Sequence, residues 1–64
     1  MNRYMKTLTS PIHFHTAMLD ETSICVYNGQ ELVGCGKIEK ITELSIKIAN
    51  EYHVISACTF KYAS

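Results

Sequence analysis

The chain has 64 residues, 47% of them hydrophobic, which predicts one folded domain with a thin core and excludes a disordered polar segment. Six basic and six acidic residues cancel to zero net charge, so the chain as a whole lacks the attraction to phosphate that nucleic-acid modules usually carry. No apolar run approaches the ~20 residues of a membrane span, and the N-terminus lacks the apolar core of a signal peptide.

A soluble, cytoplasmic protein is therefore expected. Cys25, Cys35 and Cys58 are an odd count without CxxC spacing, a pattern that favours free thiols over a disulfide framework. A domain this small gains extra burial from a second copy, so a homodimer is the default.

In chain order, residues 1–10 show no period and read as a loose N-terminal arm, with residues 11–64 forming a single small domain. Ser10-Pro11 punctuates the chain and biases it toward extended backbone. Residues 12–19, IHFHTAML, alternate weakly and predict a first strand. Asp20-Glu21 marks a turn, and residues 22–27 are rich in β-branched and aromatic side chains, as a second strand requires. Asn28-Gly29 is the strongest hairpin signal in the chain, because both residues tolerate positive φ, and residues 30–35 form the returning strand.

Residues 37–52 carry a helical period. At about 100° per residue, Ile38, Ile41, Leu44, Ile48, Ala49 and Tyr52 share one face, the charged residues take the other, and Ile46 alone is misplaced. A strand reading competes, since Leu44, Ile46 and Ile48 alternate with Ser45, Lys47 and Ala49, but it fails where Ile38 and Ile41 sit three apart. Residues 54–62, VISACTFKY, contain no breaker and predict a final strand. The expected fold is α+β: an antiparallel-rich β-β-β-α-β sheet with the helix over about residues 37–52 packed on one face.

Few residues assemble into recognisable chemistry. Gly34-Cys35-Gly36-Lys37 departs from a P-loop, because Cys35 stands where the lysine belongs, and a lowered Cys35 pKa beside a helix start would make a reactive thiol only with a base or resolving cysteine nearby. On a strand, His13 and His15 project to one face, where His53 or a cysteine would have to complete a metal site, so two polar side chains on a solvated face is the simpler reading. Phe14, Tyr27 and Tyr62 form a stacking platform only if they share an open face. Six lysines and arginines are spread through the chain as solubilising charge. No catalytic residue, cofactor or metal is assigned.

The run SICVYNGQELVG, residues 23–34, resembles the second and third strands of the Sm-like RNA chaperones, where a strand, an Asn-Gly turn and a Leu-x-Gly return are typical. KIEKITELSIKIAN continues that pattern. Two residues must be inserted after Gly34, Thr42 stands where the family commonly has an aspartate, and no Tyr-Lys-His element follows. The resemblance implies an all-β small barrel of the Sm or SH3-like kind and an RNA-binding ring of short strands. It is the alternative to the leading expectation, a non-enzymatic regulator or inhibitor that binds another protein through a sheet edge or open sheet face. Its partner-binding residues are expected to be His13, His15, Tyr27, Glu31 and Tyr62. Another protein is the expected partner, with a second copy next, nucleic acid less favoured and no membrane.

Overall fold

The computed structural model describes residues 5–63. One helix, α1 (Pro11–Leu19), precedes five strands: β1 (Ser23–Asn28), β2 (Glu31–Ile41), β3 (Ser45–Ile48), β4 (Glu51–Val54) and β5 (Thr59–Tyr62). A single 3-10 turn at Ile55–Ala57 separates the last two. The result is a small α+β domain with an antiparallel sheet in the order β4-β3-β2-β1-β5. No helix among the described residues is long and apolar enough to cross a membrane.

The helix is therefore displaced from its expected place. Residues 37–52 are the end of β2, all of β3 and the start of β4, while residues 12–19, read as a strand, are helical. The expected order β-β-β-α-β gives way to one helix followed by strands.

Local chemistry explains both changes. Ser10 takes the extended N-cap conformation (φ −131°, ψ 159°) and Pro11 opens the helix, where its missing N–H costs nothing. His13 Nδ1 accepts hydrogen bonds from the backbone N–H groups of Thr9 (3.1 Å) and Ser10 (3.4 Å), holding the incoming chain. At the other end Thr22 N–H donates to Ala17 O and Glu21 N–H to Met18 O, a Schellman motif that puts Glu21 at φ +54°.

In the segment expected to be helical, a bulge at Glu39 reconciles the spacing with a strand. Ile38 pairs with Ile48 and Lys40 with Lys47, so Glu39 is the extra residue, and Ile38 and Ile41 return to the same face although three apart. Ile46, the residue the helical wheel left outside, is fully buried.

Hairpins complete the sheet. Asn28 pairs with Glu31, so the two-residue loop is Gly29-Gln30, one position beyond Asn-Gly, with Gly29 at φ +66°. Ile48 pairs with Glu51 around Ala49 (φ +53°) and Asn50 (φ +65°), the double positive φ of a type I′ turn. Thr42 and Ser45 close the β2–β3 turn: Thr42 Oγ1 accepts the Ser45 N–H at 2.9 Å, and Thr42 N–H donates to Ser45 O at 2.8 Å.

The core lies on the concave face of the sheet beneath α1. It contains Leu8, Phe14, Ala17, Ile24, Val26, Ile38, Ile46, Ile48, Phe60 and Tyr62. Phe14 meets Phe60 edge to face at 5.2 Å, anchoring the helix to β5. The sheet curls enough that His53 on β4 packs on Gly34 of β2, where a Cβ would lie 3.6 Å from Nε2.

The two outer strands end differently. The part of the expected loose arm that is described, residues 5–8, is laid along β5: Met5 N–H donates to Tyr62 O, Tyr62 N–H to Lys6 O, and Leu8 N–H to Phe60 O. Residues 1–4 of that arm and residue 64 of the expected domain lie outside the described residues. The outer edge of β4 has no strand partner among the described residues.

The cysteines also depart from expectation. Cys25 and Cys35 face each other across β1 and β2 and are joined as a disulfide, leaving Cys58 the free thiol. Their ten-residue separation does not mark them as a pair, because strand register, not spacing, brings them together.

Candidate functional site

A concavity opens where α1, the β2–β3 turn and the 3-10 turn converge. It is a cavity of about 460 Å³, within the range of small-ligand pockets. Phe14, Ile41, Ile46 and Ile55 supply its apolar walls, and Phe14 and Ile46 are buried in the core. Its lining also includes Ser10, Pro11, His15, Thr42 and Glu43.

Each wall is held rigidly. Pro11 and the His13 cap set the start of α1, so Phe14 points inward one turn later and His15 stands beside it at the rim. Opposite, the Thr42–Ser45 hydrogen bonds fix the β2–β3 turn, with Thr42 Oγ1 also 2.7 Å from Ser45 Oγ. His15 is exposed and has no hydrogen bond among the described residues, so its imidazole is open to a ligand. The cavity combines apolar walls with a polar rim, a form suited to a flat ring carrying polar edges.

The residues expected to bind a partner do not form one surface. His13 is occupied as a helix cap and diverges from His15, because residues two apart on a helix point in nearly opposite directions. Tyr27 lies on the outer face of β1, with Lys61 Nζ 5.4 Å from its ring centroid and its hydroxyl 3.9 Å from Met5 Sδ. Glu31 is exposed at the β1–β2 hairpin. Tyr62 is 7% exposed and packs in the core, so it is withdrawn from any partner surface. The stacking platform is dismantled in the same way, since Phe14 and Tyr62 are buried and Tyr27 alone faces outward.

Two of the described lysines are ion-paired. Lys37 Nζ lies 3.4 Å from Glu21 and Lys47 Nζ 4.0 Å from Glu39. No group of three or more His, Cys, Asp or Glu side chains among the described residues is arranged to hold a metal ion. His53 turns Nε2 into the interior without a hydrogen-bond partner among the described residues.

The cavity residues were individually visible in the sequence but not as a set. Ser10-Pro11 is a legible helix start, and it would have turned Phe14 and His15 toward one end of the fold. Nothing local announces that Ile55 meets them. No protein-family model, curated protein or solved structure matches the chain.

Proposed function

We propose that this chain is a small Sm-like module that receives an unstacked base of a single-stranded nucleic acid in the cavity beside α1. The observation that carries the reading is that cavity: apolar walls from Phe14, Ile41, Ile46 and Ile55, with His15 at the rim as a stacking and hydrogen-bonding group. The fold supports it. Residues 23–34, on which the Sm-like resemblance rests, lie in the β1–β2 hairpin of a five-stranded antiparallel sheet. Thr42, standing where that family commonly has an aspartate, accepts the Ser45 N–H through its side-chain oxygen, a bond that a carboxylate can also accept.

Because net charge is zero and Lys37 and Lys47 are paired with carboxylates, the reading requires base-driven binding with a shallow salt dependence. Fluorescence anisotropy with short labelled single-stranded homopolymers tests it. Expected are a preference among bases and a loss on His15→Ala of about 1–3 kcal/mol, the worth of one stacked base. His15 is exposed, so its replacement should leave the thermal midpoint unchanged. Absence of binding by every homopolymer at low salt would overturn the reading.

The outer edge of β4, which has no strand partner among the described residues, favours a second reading, a non-enzymatic regulator or inhibitor that captures a strand of another protein or of a second copy. Tyr52 and Val54 are 54% and 50% exposed there, giving an added strand side chains to pack against. Retention of a defined protein through nuclease and high salt, lost on Val54→Pro, would support that reading over the first.

A further inference from the structure

We propose that Cys25 and Cys35 form a reversible thiol–disulfide exchange site for small-molecule thiols and disulfides of the glutathione class, with Lys61 stabilising the Cys25 thiolate. The inference does not depend on what the cavity binds.

Accessibility is the first ground. Ile24 and Val26 turn inward and are fully buried, so Cys25 between them turns outward with Cys35 opposite it. Cys35 is exposed and Cys25 half-buried, with Val33 and Lys37 the neighbours of Cys35 on the same face of its strand. A small thiol therefore has a clear approach to the Cys35 sulfur.

Register is the second. The two Cα atoms are 4.2 Å apart, the narrow kind of antiparallel pair in which side chains stand closest. The sheet itself holds both sulfurs within bonding reach, so closing the bond requires no rearrangement of the chain. The hairpin at Gly29 already joins the strands, so opening it leaves the ladder in place.

Charge is the third. Cys25 lies directly opposite Cys35 on one side and Lys61 on the other, and directly opposed residues share a face. Lys61 reaches over the outward ring of Tyr27, which places its ammonium on the outer face. A cation beside a half-exposed cysteine lowers the thiol pKa and improves it as a leaving group.

The exchange follows. A thiolate RS⁻ attacks Cys35 Sγ, the S–S bond breaks, and Cys25 leaves with the electron pair as a thiolate facing Lys61. A second RS⁻ attacks the R sulfur of the mixed disulfide, forming R–S–S–R and releasing Cys35 as a thiolate. With the two protons that the two RSH released on ionising returned to the protein thiolates, one protein disulfide and two RSH become two protein thiols and one RSSR, and the oxidation is the reverse.

The test equilibrates the full chain in mixtures of reduced and oxidised glutathione, quenches in acid, alkylates and counts labels by intact mass, with circular dichroism in parallel. Expected is a reversible change of two labels within the glutathione range while the sheet spectrum persists and Cys58 stays labelled throughout. Lys61→Met should slow reduction several-fold, and Cys25→Ser should trap glutathione on Cys35 faster than Cys35→Ser traps it on Cys25. A bond that yields only when the sheet spectrum is lost, or thiols that never pair at the most oxidising ratio, would overturn the exchange site. An unchanged rate in Lys61→Met would overturn the role of the lysine. The wild-type measurement stands whether or not the variants fold.

Discussion

Among the described residues, four other than glycine, Met5, Glu21, Ala49 and Asn50, occupy backbone conformations that suit glycine. Glu21 closes α1 at φ +54°, and Ala49 begins the β3–β4 turn at φ +53°. For an L-residue the left-handed region costs roughly 1–2 kcal/mol through crowding of Cβ against the carbonyl. Glu21→Gly and Ala49→Gly are each expected to stabilise the fold by about 1 kcal/mol, read as a higher urea midpoint at constant slope. The Glu21–Lys37 ion pair sacrificed by the first change is exposed on both sides and contributes little. A fall in midpoint for both variants would mean that neither turn has the conformation described. Residue identity also separates the histidines: His13 is spent on capping, while His15, two positions on, remains available at the cavity rim.

At the scale of the element, the segment from β2 to β4 shows how a strand with a bulge imitates a helix. Ile38 and Ile41 are three apart and both turn inward because Glu39 is the unpaired extra residue. Add Ile48 and Tyr52, and the spacing fits a helical wheel. Ile46 is what separates the alternatives. On the helix it faces solvent, whereas on β3 it is fully buried between Ile41 and the cavity. Ile46→Ala is therefore expected to destabilise by about 2–5 kcal/mol, where a solvent-facing helical position would move within about 0.5 kcal/mol. Denaturant unfolding reads the difference directly, and a near-neutral result would reinstate the helix. In α1 the opposite occurred: IHFHTAML alternates like a strand, yet Pro11 at the first helical position and the His13 cap commit it to a helix, with Phe14 and Ala17 buried three apart.

For the whole molecule the decisive asymmetry lies between the two outer strands. Residues 5–8 cover β5, while β4 presents an edge unpaired among the described residues and carrying Tyr52 and Val54. Such an edge recruits strands unless a charge blocks it. Self-association measured by light scattering should rise with concentration in the wild-type chain and fall in Val54→Lys, with no change in the sheet spectrum; a concentration-independent wild-type mass would remove the edge as an interface. The sequence by itself determined the outward composition of this protein: zero net charge, no membrane-length helix among the described residues, the β1–β2 hairpin around Gly29 and the strand character of residues 23–28, all set by neighbours close in the chain. Tertiary structure alone decided the rest. Whether Ile46 is buried, which half of the chain holds the helix, that Cys25 meets Cys35, and that Ile55 joins Phe14 at one cavity depend on register between strands and on packing across the core. A period of three or four residues is compatible with either a helix or a bulged strand, and only burial against distant partners distinguishes them.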